Sequence, residues 1–465
     1  MTEKTPTARS ERHVDLPVVL ALMVVPIIWP SLLRVGPVTL EPYHIALLAL
    51  VGATVLQPRY LLMTFNIIKD NIVFFAAFAV YVLFLSLSYT HSLESSALKA
   101  LIFKQLAFIV FATCVAARVA AMPNAGLTLY VGGIASLVSL FVIMEISARA
   151  GNVGLFDALV SFGKTGDYKA WVYKFLKPAL GAFSQQTVGS TIDFAASRKN
   201  NVASGILVCF VCYIVGQKYR SNIMNANIVH YAITSIFMAS MIMMLSRSVI
   251  LSFVLALVPI IAVKIIKGRD PLVLAGVLAA ATSVMLVYLI VPQGIIDGLE
   301  ARFFEDTTSF ESRLSSYSEA FHVIENNIIF GIGLGEEIDE HTVHNIFLYA
   351  WLQAGVFAFL AAFVFWSALF FRVVRHLWQL LMENRWTSER DITLHAWIAA
   401  IPIMALLRVW VSGGGNLNFA AWFSIGVFLG LLYRHDGEQV ATEPVVVAGG
   451  RPSVPGLREP RSPYR

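Results

Sequence analysis

The residues of this chain with the most chemistry to offer lie in one stretch, Gly331-Ile332-Gly333-Leu334-Gly335 followed by His341, His344 and Asn345. A histidine titrates near neutral pH, so an ordinary environment leaves His344 unprotonated and ready to accept a proton from a hydroxyl. The same residue also suits a helix cap or a bond to a backbone carbonyl. His341, one turn earlier, would stand behind it. A two-histidine metal site would need a carboxylate such as Asp339 or Glu340, and the spacing selects none. No metal and no cofactor is therefore expected. The glycine run lacks the lysine of a nucleotide-binding loop and the preceding strand of a dinucleotide fold. It reads as a tight turn that aims the histidines, with backbone donors able to face an anion.

Three arginines accompany this stretch. Arg247, in Leu245-Ser246-Arg247-Ser248, falls between two apolar segments, where an unpartnered guanidinium is costly. It either snorkels to lipid head groups or holds a phosphate, whose oxygens its planar fork matches in pairs. Arg198, in Ser197-Arg198-Lys199-Asn200-Asn201, precedes an apolar run. There Asn200 or Asn201 would cap a helix and Arg198 would border the membrane or help bind an anion. Arg313 leads a segment whose apolar residues Leu314, Tyr317, Phe321 and Ile324 recur at helical spacing. That spacing predicts a short amphipathic helix beginning at Arg313, which either pairs with Glu311 or Glu319 or holds an external anion.

The elements that must position these residues are membrane helices. Of 465 residues, 57% are hydrophobic and 14% charged, well below the charge of soluble domains. Apolar blocks run over about 16–33, 40–56, 71–90, 99–120, 126–147, 201–217, 226–245, 248–263, 271–291, 344–371, 391–408 and 414–433. Each is roughly the length needed to cross ~30 Å of hydrocarbon. The expectation is an all-α polytopic bundle of about twelve transmembrane helices spanning residues 16–433, with external loops 148–200 and 292–343. The large loop would lie between the ninth and tenth helices. Residues 1–15 would form a cytoplasmic tail without a cleavable signal, and 434–465 a disordered cytoplasmic tail rich in proline, glycine and valine.

An even number of spans puts both termini on one side. Arg59, Lys69, Arg118, Lys218, Arg220, Lys264, Lys267, Arg269, Arg372, Arg375 and Arg434 then mark that side as cytoplasmic. The lysines of 148–200 run against this pattern, as long loops often do. Within that loop, residues 168–180 mix aromatics with lysines. They read as an interfacial amphipathic helix or a handle for a lipid-linked substrate. Cys114, Cys209 and Cys212 lie in apolar stretches and read as small core residues. On this topology Arg198, Arg247, Arg313 and His344 all face the outside. A transporter would instead place charges near mid-bilayer and show a half-to-half repeat, and no such repeat is found.

These motifs together resemble the family of O-antigen ligases and Wzy-type polysaccharide polymerases. The likeness is carried by Ser246-Arg247-Ser248, by Arg313 with its helix, by Asn326-Asn327-Ile328-Ile329-Phe330 running into the three glycines, and by His344-Asn345-Ile346-Phe347-Leu348 with Gly355 beyond. It extends weakly to Asn200-Asn201-Val202-Ala203. The resemblance implies an inner-membrane glycosyltransferase with a GT-C-like fold and its active site facing the periplasm. In it His344 would activate the acceptor hydroxyl, and Arg247 and Arg313, with Arg198, would hold the diphosphate of an undecaprenyl-linked oligosaccharide. His341, Asn345, Gly331, Gly333 and Gly335 would support them. The implied partners are that donor, a glycan or glycolipid acceptor, membrane lipids, and flippase or chain-length regulator proteins, with no nucleic acid. Repeat-unit polymerisation and ligation to lipid A-core both fit.

Overall fold

The computed structural model of the protein describes residues 13–26, 33–35, 38–40, 42–88, 95–150, 154–176, 192–219, 227–244, 246–268, 293–301, 308–333, 345–382, 389–411 and 419–442. Sixteen helices are described. They are α1 (Leu16–Val24), α2 (Pro42–Val55), α3 (Pro58–Asp70), α4 (Ile72–Ser88), α5 (Ser95–Ala121), α6 (Ala125–Ala150), α7 (Leu155–Thr165) and α8 (Tyr168–Ala170), followed by α9 (Ile192–Tyr219), α10 (Asn227–Met243), α11 (Arg247–Gly268), α12 (Gln293–Glu300), α13 (Thr308–Asn326), α14 (Ile346–Met382), α15 (Glu389–Val411) and α16 (Phe419–Thr442). α8 runs on into a wider π-helical turn, Trp171–Leu176. A two-stranded antiparallel ribbon, β1 (Leu33–Val35) with β2 (Val38–Leu40), pairs Leu33 with Leu40 and is the only sheet among the described residues.

The protein is a multi-pass helical bundle, but the expected count of about twelve crossings is wrong. Among the described residues five helices are long and apolar enough to cross a membrane: Ile102–Ala121, Ala125–Ile146, Asn201–Lys218, Arg247–Lys267 and Ile346–Met382. A sixth is added if α2 and α3, bent by 102°, make one broken span. Helix length is what overturns the count. The block at 16–33 yields only the nine residues of α1, about 13 Å at ~1.5 Å per residue. Ile72–Ser88, Val229–Met243, Asp391–Ile403 and Phe419–Arg434 are apolar yet shorter than a full crossing. The block 271–291 lies outside the described residues. The segment expected to be the large external loop, 292–343, is partly helical, since it holds α12 and α13.

Local chemistry explains several boundaries. Asp15 caps α1, accepting from the Val18 amide at 3.2 Å, and Pro17 sits in the first turn where its missing N–H costs nothing. Gln57 is extended before Pro58, so α2 stops there and the chain turns sharply into α3. α3 thus lies across α2, with Leu62 and Phe65 exposed beside Arg59 and Lys69. α7 ends on Gly166, whose φ of +63° is the left-handed conformation of a helix stop.

Helices in lipid gain no hydrophobic driving force from meeting one another, so close packing has to hold them. α16 runs along α5, α14 along α4, α9 along α6, and α15 along α11. Gly426 and Gly430 bring α16 onto α5, where a Cβ at either position would lie 2.5 Å from the Ala112 or Ala116 carbonyl oxygen. Phe74, Phe78, Phe365, Trp366 and Trp422 form an aromatic centre between α4, α14 and α16. Cys114, Cys209 and Cys212 are buried free thiols in this core, as expected of small apolar packers.

The inference from an even count of spans lapses with the count, yet contacts tie the two ends of the bundle sequence together. Asp15 pairs with Arg118, and Arg434 donates to the Met122 carbonyl at 2.7 Å. Arg59 donates to the Ala121 carbonyl. Residues from α1, α3 and α16 therefore gather at the α5–α6 turn. The tail reading is corrected at its start, because α16 continues as helix through Thr442. Residues 443–465 lie outside the described residues.

Candidate functional site

The starts of α9, α11 and α14 lie at the bundle end opposite the α5–α6 turn. α9 runs antiparallel to α6: a Cβ at Gly216, near the α9 C-terminus, would lie 2.7 Å from the Gly126 carbonyl oxygen. The N-terminal part of α9, which carries Arg198, is thus remote from that turn. Tyr213 bonds His230 at 2.7 Å, so the start of α10 is beside the end of α9, and α10 returns toward Met243. Arg247 opens α11 four residues later, at the same far end as the α9 start. α14 follows the same direction. Arg372 donates to the Asp70 carbonyl at the foot of α4, while Gln353 accepts from Ser88 Oγ at 2.8 Å at its other end. The first residues of α14, just after His344, are therefore also distal.

Two arginines sit differently from the sequence expectation. α9 begins at Ile192, so Arg198, Asn200 and Asn201 lie inside the helix and neither asparagine caps it. α13 begins at Thr308, so Arg313 stands in its second turn rather than at its start. Arg247 is the first residue of its helix, with Nε and Nη2 buried. Beside it Ser246 is 1% exposed, and its Oγ makes no hydrogen bond among the described residues. Its carbonyl, not its hydroxyl, takes the Val249 and Ile250 amides at 3.1 Å.

The segment after α6 reaches this turn. Trp171 Nε1 donates to the Met243 carbonyl at 2.8 Å, and its ring stacks between Phe162 and Phe175. α7 packs against α12 through glycines, since a Cβ at Gly298 would meet the Gly166 carbonyl oxygen at 2.5 Å. The expected amphipathic helix over 168–180 is realised as α8 and its π-turn as far as Leu176; residues 177–180 lie outside the described residues.

The glycine turn is described through Gly333, with φ of +69° at Gly331 and +106° at Gly333. Gly335, His341 and His344 lie outside the described residues. Asn345 caps α14: its Oδ1 accepts from the Phe347 amide at 2.9 Å and the Leu348 amide at 3.1 Å. Sequence reasoning missed the partner of the glycine turn. α14 breaks at Gly355, with φ +79° and ψ −175°, and the break receives the turn. A glycine inside an apolar helical run was the available signal. Nothing in the sequence marked the Trp171 anchor.

The described helices form a multi-pass membrane bundle in which Arg247 opens α11. Residues 231–364 match the family model described as O-antigen ligase. The matched region runs from α10 to the middle of α14 and contains Arg247, Arg313, Gly331, Gly333, Gly335, His344 and Gly355, but not Arg198. No curated protein matches the chain. The match and the architecture support a membrane-embedded, glycan-modifying enzyme that is similar over residues 231–364 to the O-antigen ligase family.

Proposed function

We propose that this protein polymerises oligosaccharide repeat units carried on undecaprenyl diphosphate, at the periplasmic face of a bacterial inner membrane. The observation that carries the reading is the family match, which encloses the histidine and two of the three arginines assigned from the sequence.

In the proposed reaction a sugar hydroxyl of the acceptor attacks the anomeric carbon of the donor glycan. His344 takes the hydroxyl proton as the new glycosidic bond forms. The bond from the anomeric carbon to the diphosphate breaks, and undecaprenyl diphosphate leaves with the electron pair. Arg247 and Arg313, with Arg198, neutralise the charge developing on that leaving group, so the step needs no metal. A single displacement of this kind inverts the anomeric centre. Both termini are cytoplasmic in this reading, because Arg59, Arg118 and Arg434 cluster at the opposite end of the bundle.

Ligation to lipid A-core is the second reading, supported by the printed description of the matched family. The two differ in acceptor. Cells lacking the protein decide between them by the size distribution of surface polysaccharide. Single repeats on the acceptor indicate a lost polymerase; long lipid-linked chains awaiting attachment indicate a lost ligase. In a reconstituted donor–acceptor assay, His344→Ala and Arg247→Ala should insert normally and lose transfer by about 10²–10⁴-fold. Full activity from either protein overturns the assigned role.

A further inference from the structure

We infer that α3 is an interfacial helix: it lies flat at one membrane surface, where Leu61, Leu62 and Phe65 enter the lipid and Lys69, with Arg375 of α14, recruits anionic phospholipid head groups. The inference is independent of the catalytic reading.

Both ends of α3 are held at the same membrane face. At its start Arg59 donates to the carbonyl of Ala121, the last residue of the crossing Ile102–Ala121. At its end the Asp70 carbonyl accepts from Arg372 of α14, at the foot of α4. From that foot α4 packs along α14 to the opposite end of the bundle, where Ser88 bonds the Gln353 carbonyl. Gln353 and Arg372 are 19 residues apart, a rise of about 28 Å, close to the ~30 Å of hydrocarbon. α5 begins seven residues after Ser88, a link of at most about 25 Å even when extended. It therefore starts at that opposite end and finishes, at Ala121, level with the foot of α4. α3 has 13 residues and is about 20 Å long. A helix that begins and ends at one face runs along the membrane plane rather than through it. The 102° bend between α2 and α3 turns the chain into that plane.

The sequence of α3 gives it three faces. Tyr60 and Ile67 are buried, with Met63 half-buried between them, and this face packs on α5. Leu61, Leu62 and Phe65 are 36%, 65% and 61% exposed, and at ~100° per residue they share a second arc. Arg59, Asn66 and Asp70 are exposed together on a third. A helix surrounded by hydrocarbon has use for the first two faces only, and a helix in water for the first and third. All three are needed at the boundary between the two media. Lys69 falls between Leu62 and Phe65 on the apolar arc, where its stem can lie in lipid while its ammonium reaches the head groups.

The apolar arc is continuous with the lipid-facing surface of the bundle. Leu56 at the bend, and Ile72 and Val73 at the start of α4, are 82%, 59% and 60% exposed on either side of it. Lys69 and Arg375 are exposed and form no ion pair among the described residues. Asp70 is the only carboxylate on α3. Exposed cations beside lipid-facing leucines match one partner chemistry, an acyl chain joined to an anionic phosphodiester.

The test uses the full chain in nanodiscs, with one cysteine introduced at a time by Leu62→Cys, Phe65→Cys or Asn66→Cys. The native cysteines are buried, and the chain without an added cysteine is the labelling blank. Spin labels at 62 and 65 should be relaxed by oxygen rather than by a water-soluble nickel complex, at a depth of about 5–10 Å. The label at 66 should be relaxed by the nickel complex. Nickel access at all three positions, or a depth at 66 as great as at 62, overturns the inference. Should Phe65→Cys fail to insert, Leu61→Cys reads the same arc. For the head groups, a fluorophore at 66 is quenched by nitroxide-bearing phosphatidylglycerol or phosphatidylcholine at equal mole fraction. Quenching by phosphatidylglycerol should be about two- to fivefold the stronger, and Lys69→Gln with Arg375→Gln should bring the two level. Equal quenching before the charges are removed, or a preference that survives their removal, overturns the recruitment of anionic lipid.

Discussion

Arg118 and Asp15, 103 residues apart in the chain, meet in a two-pronged ion pair inside the bundle end. Arg118 Nε lies 3.0 Å from both carboxylate oxygens of Asp15, and Nη2 lies 2.8 Å from Oδ2. Each side chain is 5% exposed. The guanidinium also stands 4.3 Å above the Tyr60 ring centroid. One pair thus joins α1, α3 and α5.

Removing one partner strands the other charge without water. Arg118→Ala should destabilise the protein by about 3–5 kcal/mol, whereas the double variant Arg118→Met with Asp15→Leu should recover most of that loss. Thermal unfolding in detergent of the two proteins checks this, and equal melting temperatures would contradict it.

Trp171 should report on the junction between the α7–α8 segment and the turn before Arg247. Trp171→Phe keeps the stack with Phe162 and Phe175 and loses only the bond to Met243, at a cost of about 1 kcal/mol. Trp171→Ala loses both, at about 3–5 kcal/mol. Limited proteolysis within 155–176 should be slow in the wild type, little changed by the first substitution and fast after the second.

Glycine positions separate by the space beside them. Gly430→Leu has to push a side chain into the Ala116 backbone and should cost about 1–3 kcal/mol or more. Gly52→Ala meets nothing within 4 Å on α2 and should stabilise the helix by about 0.5–1 kcal/mol. Paired melting curves decide both, and a destabilised Gly52→Ala would mean that α2 packs more closely than the contacts indicate.

The sequence made the helices legible and their lengths illegible. The apolar blocks that became α5, α6 and α11 were found within about five residues of their true ends, because a continuous hydrophobic run is the dominant signal in lipid. α1 was overestimated twofold in length, since hydropathy continues past Val24 although the helix does not. The arginines were found by charge in an apolar setting, but their helical context was not. Arg198 was read as preceding a helix because Ser197–Asn201 is polar, while the backbone was already helical from Ile192. The break at Gly355 was hidden for a different reason. The partner of the Val356 amide is Ile328, and that pairing exists only where two distant parts of the chain meet.

The pairing of α16 with α5 has a consequence for how the protein is made. The strip along Ala112 and Ala116 against which Gly426 and Gly430 close is synthesised some three hundred residues before its occupant. During translation that strip must stay in contact with lipid or with the insertion machinery, and the Arg434 staple can form only after α16 has been made. Closure of this seam is therefore a post-insertion event, and α16 acts as its keystone.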